Sequence, residues 1–138
     1  MTTVRDTSGV RAVGEAFLAA LSTQDFDALA GYLGPTMRMR TLLPTGHYEH
    51  HGSKEVKSMF VEWFATARDV EVLETRLDTV ADRLTMAYRF RLRRMVGGPL
   101  KEIEQQAYCK VVDGKVVTID LVCTGFRPAE ADVVSSDG

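Results

Sequence analysis

Ile103-Glu-Gln-Gln-Ala-Tyr-Cys-Lys-Val-Val-Asp113-Gly114-Lys-Val-Val-Thr-Ile-Asp-Leu-Val-Cys-Thr124 decides the fold, because it reads as two strands joined by one tight turn. Asp-Gly flanked by valines is among the strongest short-range hairpin signals. Working outward, the same strand pattern begins near Val70 and predicts four consecutive strands over residues 70–79, 84–95, 103–112 and 115–124. The punctuation between them is Ala81-Asp82, Gly97-Gly98-Pro99 and Asp113-Gly114. Sequential strands on short turns are antiparallel neighbours, so this half of the chain should be a meander.

The first half is helical in pattern. Val10, Val13, Phe17, Ala20 and Leu21 recur at helical spacing, with Ser8 placed to cap the start. Asp25 is placed to cap a second, short helix through Leu29 and Leu33, which Gly34-Pro35 should end. Met37-Arg-Met-Arg-Thr-Leu alternates with a period of two and reads as a strand. Pro44-Thr-Gly-His-Tyr-Glu-His-His-Gly52 reads as a polar loop, with Ser53 capping a third helix. On that helix Val56, Met59, Phe60, Trp63 and Phe64 form an apolar stripe. Helices first and strands after give an α+β domain, a curved antiparallel sheet wrapped on a long third helix.

Composition narrows the class. The 138 residues suit one domain, expected over 8–128 with a frayed tail at 129–138. A net charge of -2 argues against a nucleic-acid module held by phosphate attraction. No apolar run approaches a membrane span, and the N-terminus lacks the apolar core of a signal peptide. Two cysteines, Cys109 and Cys123, make no disulfide framework and fit reduced thiols in a cytoplasm. No phosphate-cradling loop or metal signature is present, so no cofactor is expected.

The order of elements resembles the nuclear transport factor 2-like superfamily, which includes ketosteroid isomerases and SnoaL-like polyketide cyclases. The local motifs agree over roughly residues 10–128. Phe17-Leu-Ala-Ala-Leu-Ser-Thr-Gln-Asp25-Phe-Asp-Ala-Leu resembles the family's opening helix pair. Gly52-Ser-Lys-Glu-Val resembles the start of its third helix, and Asp113-Gly-Lys-Val-Val its last turn. Leu121-Val-Cys-Thr-Gly-Phe-Arg127-Pro resembles a "C-S-G-F-R-P" ending. The resemblance implies a cone-shaped, cystatin-like α+β barrel whose pocket takes a small hydrophobic, carbonyl-bearing ligand, with isomerisation, cyclisation or hydration as the reaction class. It also implies a homodimer through the sheet face. A ligand carrier or sensor, and a protein-interaction module, are the alternatives this fold also hosts.

Ketosteroid-isomerase chemistry needs a carboxylate base and two oxyanion donors, a tyrosine and a protonated acid. The matching positions here hold Phe17, the strand with Arg38 and Arg40, and Gln105 or Gln106. That chemistry is therefore excluded in its usual form. The similar epoxide-hydrolase arrangement of two acids and an arginine would have to draw on Arg89, Arg91, Glu104 and Asp120, which read more simply as charges paired across an exposed face.

The remaining candidates are specific. Val117, Ile119, Leu121 and Cys123 share one face of the last strand, which the resemblance makes the pocket face. Of Gln105 and Gln106, one must point inward; a two-residue turn selects Gln106 and a three-residue bulged turn selects Gln105. His47, His50 and His51 are the proton-transfer candidates, at what the resemblance makes the pocket mouth, and their spacing matches no zinc pattern. Phe17, Trp63 and Tyr108 are further candidate pocket contacts, although Trp63 reads equally as core and Tyr32 or Tyr88 could replace Tyr108. Arg40, with Arg38, would call for an anionic or carbonyl-bearing ligand if inward, and for solvent or a dimer interface if outward.

Overall fold

A computed structural model of the chain describes residues 7–129; the expected tail lies almost wholly outside these residues. Helices α1 (Thr7–Ser22) and α2 (Phe26–Ala30) precede strands β1 (Leu33–Leu43) and β2 (Gly46–His51). Helix α3 (Ser53–Phe64) follows, then β3 (Arg68–Val80), β4 (Arg83–Arg93), β5 (Leu100–Val112), β6 (Lys115–Cys123) and the short β7 (Arg127–Pro128). The strands make one open sheet in the order β2-β1-β6-β5-β4-β3, with β7 paired to β5. The meander of β3 to β6 stands as read from the sequence. Among the described residues only β1 against β6 runs parallel, so the sheet is mixed rather than wholly antiparallel.

Four local expectations change. Helix α1 begins at Thr7, one residue before the expected cap at Ser8. Helix α2 stops at Ala30, not Leu33: the Gly31 and Tyr32 amides close back on Ala28 and Leu29 at 3.1 and 3.0 Å, and the chain turns straight into β1. Its start is as expected, with the Asp25 carboxylate accepting from the Ala28 amide at 3.1 Å. The histidine-bearing segment is not a loop but edge strand β2, because Pro44-Thr45 makes a two-residue turn that registers Leu43 opposite Gly46. At α3 the cap position is Gly52, at φ 88°, instead of Ser53. The polar partner there is Glu55, whose carboxylate accepts from the His51 amide at 2.8 Å.

The curved sheet of this α+β fold packs against two helices, α1 and α3. Helix α1, with 16 residues, is longer than α3, with 12, and packs on β3 and β4 while α3 lies over β1 and β2. Gly14 permits the close seat of α1, since a Cβ there would fall 2.6 Å from Leu77 and 2.8 Å from Leu84. Between helices and sheet the interior is packed with aromatic rings. Phe60 stands edge-on to Phe17 at 5.6 Å and to Trp63 at 5.3 Å, Phe64 edge-on to Phe90 at 5.9 Å, and Tyr88 stacks on Phe90 at 5.2 Å. Edge-to-face pairs at these separations are the favoured aromatic geometry. Phe17, Phe60, Phe64, Tyr88 and Phe90 of this cluster are all buried.

Candidate functional site

The hairpin at Asp113-Gly114 has two turn residues, both at positive φ (51° and 76°). A bulge then intervenes: Val111 pairs with Val116 but Lys110 pairs with Thr118, leaving Val117 as the extra residue. One inserted residue flips every later side chain to the other face. Gln105 therefore stands opposite Cys123 and is fully buried, while Gln106 is exposed. The two-residue turn held and still selected Gln105, because the bulge lies in the strand. The same slip puts Val116 in the core with Ile119, Leu121 and Cys123, in place of Val117.

Tyr88, Gln105 and Cys123 lie directly opposite one another on β4, β5 and β6, all inward. The Tyr88 hydroxyl donates to Gln105 Oε1, and Gln105 Nε2 donates to Cys123 Sγ at 3.3 Å. The Gly125 amide donates to the same sulfur at 3.3 Å. Burial pushes the Tyr88 hydroxyl well above its ordinary ionisation range, so it is a neutral donor at every physiological pH. Of Tyr88 and Tyr108, Tyr88 is thus the inward one. Tyr108, the expected pocket contact, is 55% exposed on the outer face, as its odd spacing from Gln105 requires.

Cys123 forms the floor of a cleft of about 440 Å³ at the open end of the cone. Ile103, Trp63 of α3, Leu43 of β1, Thr45, Thr124 and Phe126 also line it. Gly125, at φ 72°, turns the chain so tightly against Pro44 that a Cβ would meet it at 3.1 Å, which closes the back. Arg94 stands at the rim, its guanidinium 4.2 Å from the Phe126 ring centre. Among the lining residues there is no carboxylate and no imidazole.

The other expected site residues are elsewhere. Phe17, Ile119 and Leu121 are buried core side chains. His47 and His51 pair with Leu42 and Arg38 and share the outer face, where His51 meets Glu49 at 3.1 Å. His50 points inward but pairs with Met39, four residues along β1 from Leu43, so about 13 Å separates it from the cleft at strand rise. It lies 3.7 Å from Glu55 instead. Arg40 faces outward and binds Asp120 at 2.7 Å. Arg89 and Arg91 are likewise on the outer face, shared between Glu102 and the β3 acids Glu74 and Glu71. Arg89, Arg91 and Asp120 are thus in cross-strand pairs, with Glu102, rather than the expected Glu104, as the β5 acid. Around Arg40 and Asp120 a wider outer groove of about 730 Å³ reaches His47, Glu49 and Tyr108. Among the described residues no group of three His, Cys, Asp or Glu side chains could hold a metal, and no helix is long and apolar enough to cross a membrane.

The SnoaL-like domain model matches residues 14–119. The chain belongs to the SnoaL-like domain family. None of the curated proteins matches the sequence. Among solved structures, one provisionally named a ketosteroid isomerase from Kribbella flavida DSM 17836 is 19% identical, with a TM-score of 0.67 over 91% of this chain and 82% of that one. An epoxide hydrolase of M. tuberculosis, of the LEH-like kind, is 17% identical, with a TM-score of 0.65 over 84% and 83%. A protein provisionally named a polyketide cyclase from Pseudomonas putida kt2440 is 11% identical, with a TM-score of 0.67 over 81% and 89%. At these identities the likeness is one of fold.

One property of the buried face is testable in solution. Burial, with Asp120 second, pushes the Cys109 thiol up to about 12 from an ordinary 9.0, and Tyr88 shifts the same way. Both groups ionise more readily unfolded than folded, so their contribution is complete below pH 9 and is lost as pH rises from 9 toward 12. The urea midpoint should fall steadily over that window, and Cys109→Ala should flatten the part that begins near pH 9.

Proposed function

We propose that this SnoaL-like domain binds a mostly apolar, carbonyl-bearing small molecule in the cleft over Cys123. The observation that carries the reading is the cleft itself: apolar walls, a thiol at its floor, and a hydrogen-bonded amide and phenol locked behind it. Small-molecule sites are typically apolar concavities with a few placed polar groups. Isomerisation or hydration by proton abstraction needs a base within about 3 Å of the reacting atom, and the lining supplies none. This favours a carrier or sensor over an acid–base enzyme. Cyclisation by folding the substrate into a reactive conformer is the one family reaction that such a cleft could promote unaided. The free thiols of Cys109 and Cys123 suit a reducing cytoplasm. The test is fluorescence titration with the neutral probe N-phenyl-1-naphthylamine: saturable binding is expected, and Cys123→Phe, which fills the cleft, should abolish it. Saturable binding that survives Cys123→Phe would refute the site.

A second surface supports self-association. Leu42, Val122 and Tyr108 on β1, β6 and β5 are each more than half exposed and flank the Arg40–Asp120 pair. We propose that two copies pair through this outer sheet face, where exposed apolar side chains surround an ion pair. Light scattering should give a dimer mass, and Tyr108→Arg with Val122→Lys should give a monomer of unchanged circular dichroism.

A further inference from the structure

We propose that the ligand of the inner cleft is an amphiphilic acid, whose anionic head is held at the rim by Arg94 with Lys101 beside it. This rests on the reading of the cleft as the ligand site and adds the chemistry of the head group. The inward row of β4 is Leu84, Met86, Tyr88, Phe90 and Leu92, and Arg94 is the next position of the same parity, just beyond the strand end at the mouth of the cone. Its neighbours Arg89, Arg91 and Arg93 are each neutralised by an acid: Glu74 or Glu102, Glu71 or Glu102, and Asp69 at 3.2 Å. Arg94 has no carboxylate partner among the described residues; its one close companion is the face of Phe126. That stack holds the guanidinium flat while leaving its N–H edge free to donate.

The loop that carries Arg94 is tied down, since the Arg93 guanidinium donates to the Gly98 carbonyl at 2.6 Å. Beyond Arg94 the surface dips again into a hollow of about 350 Å³, lined by Thr66, Met95, Pro99 and Lys101. Lys101 also has no acidic partner among the described residues. Arg94, which lines both the cleft and this hollow, and Lys101, which lines the hollow, are two unpaired cations in a chain of net charge -2 and form a local field that favours an anion. A ligand with its apolar body over Ile103 and Cys123 would place a carboxylate-like head within reach of the Arg94 fork, where bidentate, charge-assisted hydrogen bonds are strongest.

The experiment compares two fluorescent probes with the same apolar body: 1-anilinonaphthalene-8-sulfonate, which is anionic, and N-phenyl-1-naphthylamine, which is neutral. Both are titrated into wild type, Arg94→Gln, Lys101→Gln and Cys123→Phe. Loss of a charged hydrogen-bond donor should raise the Kd of the anionic probe about tenfold in Arg94→Gln and less in Lys101→Gln, with the neutral probe changed by less than about twofold. Equal shifts for both probes in Arg94→Gln, or no shift for the anionic one, would overturn the head-group proposal while leaving the cleft in place. Binding of both probes undiminished in Cys123→Phe would remove the cleft and this proposal together. Should Cys123→Phe fold poorly, Leu43→Trp fills the same space from β1.

Discussion

Phe60→Ala should lower the free energy of unfolding by about 3–5 kcal/mol, the range for removing a large aromatic from a packed interior. Phe60 is fully buried and is the junction of the ring cluster, touching Phe17 on α1 and Trp63 on its own helix. Truncation loses its transfer free energy and leaves a hole between the neighbouring rings of α1 and α3. Urea denaturation gives the size of the effect. A second outcome follows from the same geometry. The hole would lie where a deeper pocket would run, lined by apolar groups only, and such cavities stay dry and accept small aromatic guests. Indole added in excess should therefore raise the melting temperature of Phe60→Ala and leave wild type unchanged. An effect below about 1 kcal/mol would mean that the interior is not filled as described.

Gln105→Leu should cost about 2 kcal/mol, because the Tyr88 hydroxyl is left buried without an acceptor. Tyr88→Phe should be comparably harmful, since it orphans Gln105 Oε1 in turn. The double variant removes both polar groups and should be less destabilised than the two singles added together. A double-mutant cycle from urea midpoints reads the coupling. Strict additivity would show that the phenol and amide do not depend on one another. Cys123 sits at the end of this row, so Gln105→Leu should also loosen the cleft floor and weaken probe binding, whereas Tyr88→Phe acts one strand further away.

Much of the fold was legible because its signals are local. The Asp113-Gly114 turn, the valine-rich strands beside it and the helical stripe from Val56 to Phe64 each state their own geometry within a few residues. What could not be read depended on single-residue events. The bulge at Val117 reverses which glutamine faces inward, and nothing in Lys-Val-Val-Thr distinguishes a bulged from a regular strand. The histidine segment looked like a loop because it is polar, yet an edge strand with its outer face in solvent is equally polar. Once it is paired, strand alternation sends His47 and His51 one way and His50 the other.

The cleft was less legible than the fold. Trp63 and Cys123 are candidates in the sequence, but Leu43, Ile103, Arg94 and Phe126 come from four separate stretches of chain that only the tertiary structure brings together. A signal for Arg94 was present in principle: it extends the inward parity of β4 in a run where every other arginine has outward parity. A signal for Tyr88 was present too, since it falls in the middle of that buried row. Both required the register of β4 against β5, which the loop at Gly97-Gly98-Pro99 leaves open.

The most direct test of the inner cleft as a ligand site is the rate of iodoacetamide labelling at Cys123, measured by peptide mass spectrometry with and without saturating N-phenyl-1-naphthylamine. Cys109, buried with its thiol pushed up to about 12, serves as the internal reference. The structure predicts that Cys123 labels faster than Cys109 and that the probe slows Cys123 in proportion to the fraction bound, with Cys109 unaffected. Labelling of Cys123 that proceeds at the same rate when the probe is fully bound would contradict it.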